Sequence, residues 1–304
     1  MEIIIGKTAG FCFGVKNAVT KAEEALKQNE EIYCLGELVH NKQVTKKLTQ
    51  KGMHFIDDIT EAKAKTVIRS HGVEKNIYKQ AENMEIELID LTCPKVLNIH
   101  NIAEEYAQKG FYIILTGDKN HPEMLGTASF CGEHYYILEK EEDIENAIDE
   151  FKKLKLSNIL LISQTTYSLE KFKKIADILQ KEIPNIEVIN TICNATKMRQ
   201  EETEQMAKDV DIMIIVGGKH SSNSNKLYEI AKKHCNNVLF VETADELNIK
   251  REFIGGKNHE NKPSVRIGIM AGASTPEESI VKVVEKLKEM WYNKKGKILK
   301  KKGR

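Results

Sequence analysis

The stretch ELIDLTCPKVLNIHNIAEEYAQKGFYIILTG, residues 87–117, decides the fold of this 304-residue chain. An apolar run rich in β-branched residues ends just before Cys93, a pattern with apolar residues at three- and four-residue steps follows, and a second apolar run ends on Gly117. Short apolar runs of this kind are typical of buried strands, and the spaced pattern is typical of an amphipathic helix. The stretch therefore predicts a strand, a helix and a second strand in succession.

The same order of elements occurs twice more in the chain. The run EIIIGKTAGFC ends on Cys12 and the run NIEVINTIC ends on Cys193, and each leads through a helical pattern to an apolar run that ends on a glycine, Gly36 or Gly217. In all three copies 24 residues separate the cysteine from the glycine. A fixed period of this kind indicates an internal repeat. Four residues beyond the three glycines lie His40, His121 and Ser221.

Each copy continues with further strands and helices joined by short loops, which is typical of parallel sheets covered by helices. We predict an α/β fold of three pseudo-threefold-related domains with mostly parallel sheets around a central cavity, since ligands of open α/β folds bind at the carboxyl ends of the strands. The predicted parts are an N-terminal strand that completes the third domain (1–11), a first domain (12–92), a second (93–192), a third (193–280) and a C-terminal helix end with a basic tail (281–304).

The composition is that of an ordinary globular protein with 41% hydrophobic and 30% charged residues. The formal net charge of +1 argues against a nucleic-acid partner or an anionic membrane surface. No apolar run approaches the roughly 18 residues of a membrane helix, and the first ten residues lack the pattern of a secretory signal. Six scattered cysteines without a C-x-x-C spacing fit a reducing compartment. We therefore expect a cytoplasmic protein.

Three of those cysteines, Cys12, Cys93 and Cys193, occupy the same place in the three repeats. Soft ligands related by a threefold repeat are what iron–sulfur clusters and zinc sites use, so the sequence favours a metal or cluster site over simple packing. The remaining cysteines are predicted to be small buried hydrophobic residues: Cys34, Cys131 and Cys235.

Polar groups cluster behind the predicted strands. His40, His71 and His121 follow strands of the first two repeats, and imidazolium is a good counter-charge for phosphate. Glu123 lies close to His121 and could donate a proton. The third repeat supplies two hydroxyl-rich loops that lead into helices and offer hydroxyl and backbone N–H groups to an anion, GGKHSSNSNKL (217–227) and AGASTPEES (271–279).

Taken together, the motifs resemble one enzyme family over about residues 1 to 280. They are GFCFGV around Cys12, RSHGV (69–73), TCP (92–94), HPE (121–123), QTT (164–166), TIC (191–193), SSNSN (221–225) and AGAST (271–275). The chain in this respect resembles the 4-hydroxy-3-methylbut-2-enyl diphosphate reductases, oxidoreductases that perform the last step of the methylerythritol phosphate route to isoprenoids.

The resemblance implies one [4Fe–4S] cluster per chain on Cys12, Cys93 and Cys193, with one iron open to the substrate hydroxyl. It implies that Glu123 delivers protons and that Thr165 orients the hydroxyl and relays them. The implied reaction takes two electrons from ferredoxin or flavodoxin and two protons, and yields isopentenyl or dimethylallyl diphosphate. The implied diphosphate-binding residues are His40, His71, His121, Thr165, Ser221, Ser222, Asn223 and Ser274.

Two other functions compete with this interpretation. Quinolinate synthase also combines a triplicated α/β fold with three cluster cysteines, although the HPE and SSNSN loops match the reductases instead. A non-enzymatic regulator that carries a metal and binds RNA through the basic tail would need a basic surface beyond that tail, which the balanced charge does not supply.

Overall fold

The computed structural model of the chain describes residues 1–28, 31–153, 158–183, 185–249 and 265–301. The chain divides into two compact units. One unit comprises Met1–Cys12 and Lys197–Arg304, and the other comprises Phe13–Thr196. The domain limits expected from the sequence stay a prediction.

The larger unit, Phe13–Thr196, contains two parallel four-stranded sheets built on one plan. The first has the order β3-β2-β4-β5 and the second the order β7-β6-β8-β9. The first sheet consists of β2 (Ile32–Leu35), β3 (Met53–Ile56), β4 (Thr66–Ile68) and β5 (Leu88–Asp90), with helices α1 (Phe13–Gln28), α2 (Lys42–Gln50) and α3 (Lys75–Asn83). The second sheet consists of β6 (Tyr112–Thr116), β7 (Tyr135–Leu138), β8 (Ile159–Ser163) and β9 (Ile186–Val188), with helices α4 (Pro94–Gln108), α5 (Pro122–Ala128), α6 (Ile144–Lys153) and α7 (Leu169–Glu182).

The smaller unit holds a third parallel sheet that joins the two ends of the chain. Its strands are β1 (Glu2–Ile5), β10 (Ile212–Val216), β11 (Val238–Val241) and β12 (Arg266–Ala271), in the order β1-β12-β10-β11. The N-terminal strand β1 therefore occupies the place that β5 and β9 hold in the other sheets. The helices here are α8 (Asn194–Asp209), whose first three residues are counted with the larger unit, α9 (Ser222–His234) and α10 (Glu277–Lys301). Of the predicted basic tail, residues 302–304 lie outside the described residues.

Within the described residues, all three sheets are purely parallel, which confirms the predicted α/β fold class. Such sheets are covered on both faces, so their central strands read as continuous apolar runs. In the second sheet Ile114 and Leu161 belong to one buried cluster, whereas Ile113 and Leu160 belong to the cluster on the opposite face. This alternation explains why the run FYIIL carries no polar residue.

The parallel arrangement places the loops that follow β2, β4, β6 and β8 at the carboxyl ends of their sheets. Three short 3₁₀ turns, Ile59–Glu61, Glu141–Asp143 and Ala244–Glu246, lie at corresponding places before the third strand of each repeat. The loops after the strands carry the polar residues that the sequence singled out, because the strands themselves are filled with aliphatic side chains.

Candidate active site

Each of the three repeat-related cysteines makes the same type of backbone hydrogen bond. The Cys93 N–H donates to the Ser70 carbonyl at 3.0 Å and the Cys193 N–H to the Thr165 carbonyl at 3.0 Å. In the other unit the Cys12 N–H donates to the Ala273 carbonyl at 3.1 Å. Each acceptor lies two residues beyond the third strand of its repeat, and a helix begins directly after each cysteine. We call this shared arrangement the cysteine frame.

The cysteine frame fits a ligand that prefers thiolates. All three cysteines are partly exposed, and a helix N-terminus favours negative charge. A Cβ on Gly14 would lie 2.6 Å from the Sγ of Cys93, so that sulfur has its space only because position 14 has no side chain. No disulfide joins any of the six cysteines, all of which lie in described residues. Cys12 belongs to the smaller unit and Cys93 and Cys193 to the larger, so the convergence of the three stays a prediction.

The other three cysteines have a different environment. All are buried, and their thiols donate to backbone carbonyls, Cys34 to Gly36 at 3.2 Å and Cys131 to Thr127 at 3.4 Å, for example. Burial raises the pKa of both Cys34 and Cys131 to about 12, which disfavours the thiolate that binds metal. Cys235 is buried likewise and donates to the Asn237 carbonyl at 3.4 Å.

Three histidines from three different loops of the larger unit lie together. His40 follows β2, His71 follows β4 and His121 follows β6. The rings of His40 and His71 stack with centroids 4.1 Å apart, and His121 meets them edge-on at 5.1 and 5.5 Å. One ring nitrogen from each lies within 4.8 Å of the others. We call this group the histidine cluster; its convergent nitrogens could hold a metal ion or an anion.

Hydrogen bonding and burial fix the state of His121. As the N-cap of α5, it accepts the Glu123 N–H on Nδ1 at 3.1 Å, so the neutral ring carries its proton on Nε2. Burial, followed by the charges of His40 and Arg69, lowers the pKa of His121 to about 3. Burial and its neighbours also hold the pKa of His71 well below its usual range. Without a ligand, both rings are neutral N–H donors near pH 7.

Glu123 lies in the first turn of α5, with only 2% of its surface exposed. Its Oε1 accepts the Thr165 N–H and its Oε2 accepts the Thr165 hydroxyl, both at 2.6 Å. Burial raises the pKa of Glu123 to about 7, although the two Thr165 hydrogen bonds act in the opposite direction. A carboxyl group that titrates near neutrality is suited to give and take protons.

Thr165 joins this acid to the cysteine frame. Its N–H and hydroxyl hold Glu123, and its carbonyl accepts the Cys193 N–H. The family resemblance implied the role of the Thr165 hydroxyl but not that of its backbone. Its backbone role could have been inferred from the repeat, because Ser70 and Ala273 stand at the same distance from their strands.

The structure also reveals a supporting residue that the sequence did not single out by itself. Gln164 is buried, and its Oε1 accepts the Asp118 N–H at 3.2 Å while its Nε2 donates to the Thr166 hydroxyl at 3.0 Å. It therefore ties the loop that follows β8 to the loop that carries His121. A Cβ on Gly117 would lie 2.9 Å from Gln164 Oε1, so the glycine that ends the apolar run makes room for this contact.

In the smaller unit, the hydroxyl-rich loops are packed against one another. Ser221 caps α9 by accepting the Ser224 N–H at 3.4 Å. Ser224 is buried against Gly217 and Gly272, where a Cβ would collide with its hydroxyl. The predicted residues Ser221 and Ser274 are buried here and Ser222 is half-buried.

Asn223 is 3% exposed, yet neither amide atom has a hydrogen-bond partner among the residues that the structure describes. A buried amide without partners costs free energy unless a ligand or water satisfies it. The loops of the smaller unit therefore contain a buried donor and acceptor that a ligand or water could satisfy.

The described helices include none that is both long and apolar enough to cross a membrane.

Comparison with known proteins places the chain in one family. Residues 3–288 match the family described as LytB protein. The chain is 41% identical over 296 residues to the 4-hydroxy-3-methylbut-2-enyl diphosphate reductase of Caldanaerobacter subterraneus subsp. tengcongensis, covering 95% of this chain and 98% of the relative. It is 38% identical over 296 residues to the enzyme of the same name from Aquifex aeolicus, covering 95% and 97% of the two chains.

Two solved structures are similar to this fold. The E-1-hydroxy-2-methyl-but-2-enyl-4-diphosphate reductase from Plasmodium falciparum superimposes with a TM-score of 0.82 at 29% identity, covering 93% of this chain and 87% of that one. A structure of (E)-4-hydroxy-3-methyl-but-2-enyl diphosphate reductase, described as the terminal enzyme of the non-mevalonate pathway, gives a TM-score of 0.67 at 38% identity and covers 95% and 100% of the two chains. The resemblance found in the motifs is confirmed, and the chain belongs to the LytB protein family.

Proposed function

We propose that the chain is a 4-hydroxy-3-methylbut-2-enyl diphosphate reductase that forms isopentenyl and dimethylallyl diphosphate. Family membership and the names of the relatives support this function. The observation that carries it is the buried acid Glu123, held by Thr165 in the same helical turn that His121 caps. That turn therefore connects a proton donor to the histidine cluster. Such a connection suits a substrate whose diphosphate is bound at one end and whose hydroxyl group is removed at the other.

The diphosphate would be bound by two sets of residues. In the larger unit, the neutral N–H groups of His71 and His121 would donate to phosphate oxygens, and the bound negative charge would raise the pKa of both rings. In the smaller unit, the unpaired amide of Asn223 offers both a donor and an acceptor. The full proposed set is His40, His71, His121, Thr165, Ser221, Ser222, Asn223 and Ser274. Binding the diphosphate would make the later steps nearly intramolecular.

Cys12, Cys93 and Cys193 would hold a [4Fe–4S] cluster. Their partial exposure, their helix-start positions and the space left by Gly14 support this assignment over the three buried cysteines. When bound, the cluster supplies single electrons and an iron that acts as a Lewis acid toward the substrate hydroxyl.

The chain itself supplies and steers the protons. With its pKa at about 7, Glu123 is protonated in a large fraction of molecules at neutral pH. Protonated Oε2 would donate to Thr165 Oγ1, and that hydroxyl would donate to the leaving oxygen of the substrate. The Thr165 N–H on Oε1 keeps the carboxyl group oriented during the transfer.

The reaction balances with two electrons and two protons. The allylic C–O bond breaks, the oxygen leaves as water with one added proton, and the second proton goes to either end of the allylic carbon unit, giving the two products. The electrons would come from a one-electron protein donor of the ferredoxin or flavodoxin type.

The decisive experiment is anaerobic purification, iron and sulfide analysis, and an assay of reduced-viologen oxidation with the hydroxylated diphosphate. We expect about four irons and four sulfides per chain and substrate-dependent oxidation of the viologen. Intact iron and sulfide without turnover would contradict the reductase function and point toward quinolinate synthesis instead. Zinc without sulfide would contradict the redox chemistry itself.

A further inference from the structure

Arg69 links the two loops that carry His40 and His71. It stands directly after β4, two residues before His71. The Gly72 N–H donates to the Arg69 carbonyl at 3.0 Å, and the Arg69 Nε donates back to the Gly72 carbonyl at 3.3 Å. These two bonds close a tight turn around His71. Gly72 has a φ of +75°, a conformation that glycine adopts at little cost.

The guanidinium group of Arg69 also packs over the other histidine loop. Gly36 is the first residue after β2, and a Cβ at this position would collide with Arg69 Nη1. Gly36 adopts a φ of +71° and lies four residues before His40. One side chain therefore touches both loops whose histidines stack at 4.1 Å.

Arg69 differs from His71 and His121 in its charge. Burial lowers its pKa, but a guanidinium group stays protonated throughout the working range of a protein. The charge of Arg69 contributes to the lowered pKa of both His71 and His121, so it acts on the cluster. The carboxylates that influence Arg69 are Asp57 and Glu74, and a third carboxylate, Glu37, lies 3.5 Å from Nδ1 of His40.

We propose that Arg69 is a positioning residue for the anion site, which clamps the His40 and His71 loops and supplies a permanent positive charge beside them. The inference rests on the proposed function in one respect, that the histidine cluster binds the diphosphate. Two neutral rings can donate hydrogen bonds to a diphosphate, but only a fixed cation compensates its charge at every pH.

Three variants of the holoenzyme separate the clamp from the charge. Arg69→Met removes both, Arg69→Lys keeps the charge but loses the planar fork, and Lys79→Met removes an exposed charge from the same repeat as a matched control. The readouts are KM and kcat for the substrate, and the inhibition constant of inorganic pyrophosphate at low and high ionic strength.

We expect Arg69→Met to raise KM and the pyrophosphate inhibition constant by about tenfold at low salt, as loss of a unit charge within a partly buried site does, with kcat nearly unchanged. The salt dependence of pyrophosphate inhibition should weaken in this variant, because a screened attraction has been removed. Arg69→Lys should restore the salt dependence without restoring the full affinity, and Lys79→Met should behave as wild type.

Other outcomes would overturn the inference. An unchanged KM and inhibition constant in Arg69→Met would show that neither clamp nor charge acts on the anion. A rise in KM with an unaltered salt dependence in both Arg69 variants would indicate a purely structural residue. If Arg69→Met does not fold, Arg69→Gln, which also lacks the charge, takes its place, and a salt dependence equal to wild type in Arg69→Gln would contradict the role of the charge. A wild-type enzyme without turnover would contradict the proposed function, and pyrophosphate binding measured by calorimetry on the same samples would still test Arg69.

Discussion

Glu123 and Asn223 occupy the same position in two repeats and have opposite surroundings. Each lies 30 residues beyond its cysteine, Cys93 or Cys193, and within the first two residues of a helix that follows the first central strand. Both are buried to the same degree. Yet both carboxylate oxygens of Glu123 accept hydrogen bonds, whereas neither amide atom of Asn223 has a partner in the described part of the chain.

The hydroxyl group that holds Glu123 has no equivalent in the third repeat. Thr165 stands two residues beyond β8 and holds Glu123 with its N–H and hydroxyl, while the equivalent residue beyond β12 is Ala273, which has no hydroxyl. Both keep the same backbone role, because their carbonyls accept the N–H of a frame cysteine. A repeated backbone can therefore carry a tuned acid in one copy and an open binding group in another.

The largest effect is expected from the cysteine frame that both repeats share. Cys12→Ser, Cys93→Ser and Cys193→Ser should each lose most of the roughly four irons per chain, because the frame would supply the thiolates. Iron and sulfide analysis of anaerobically purified protein measures the loss. The matched controls are Cys34→Ser, Cys131→Ser and Cys235→Ser, which should keep their iron; the opposite pattern would refute the repeat argument.

Glu123→Gln makes the second repeat resemble the third by placing an amide at both positions. We expect kcat to fall by about 10² to 10⁴, the usual contribution of a general acid, while iron content and KM stay near wild type. Steady-state viologen oxidation gives both constants. Glu145→Gln, an exposed change in the same repeat, should have no effect. Full activity of Glu123→Gln would exclude this residue as the proton donor.

The pH dependence tests how Thr165 tunes the acid. Because Glu123 must be protonated and has a pKa of about 7, kcat should be constant below that pH and fall about tenfold per unit above it. The Thr165 hydrogen bonds lower the pKa of Glu123, so Thr165→Val should move the falling limb to higher pH. Thr165→Ser, which keeps the hydroxyl, should leave it in place. If kcat of Glu123→Gln still falls at high pH, the titration of another group must cause the fall.

The smallest effect is expected when the third repeat is given a hydroxyl group at the position that corresponds to Thr165. Ala273→Thr would offer a hydroxyl to Asn223 and should raise KM by a few-fold, since the amide would lose part of its capacity for the ligand. Asn223→Ala should raise KM more. In the variant that carries both Asn223→Ala and Ala273→Thr, KM should equal that of Asn223→Ala alone, and a double-mutant cycle would show this. Additive effects would mean that the threonine acts by crowding the loop and not through Asn223.

The constant spacing of the repeats predicted the α/β fold class and the loops in which the candidate polar residues lie. It identified the three cysteines, the glycines that end the apolar runs and the loops where the polar residues lie. In the first repeat Asn41 caps the helix by accepting the N–H groups of Gln43 and Val44. The helix there begins one residue later than in the other copies, so His40 lies just outside it and stacks on His71.

The sequence patterns did not predict the residues that act through long-range contacts. Arg69 and Gln164 each join two loops, and their partners are distant in sequence or depend on backbone conformation. A side chain that packs over a glycine leaves no periodic pattern, because the pattern records only which face of an element is apolar.

The sequence by itself determined the triplicated α/β architecture and the places where chemistry could occur, because strand and helix periodicities and the spacing of cysteines are local properties of the chain. Only the tertiary structure decided which of those groups is an acid with a pKa near 7, which is a neutral donor and which is an unsatisfied amide. Burial and hydrogen bonding set these states, and the partners come from residues such as Thr165, which is 42 positions away from Glu123.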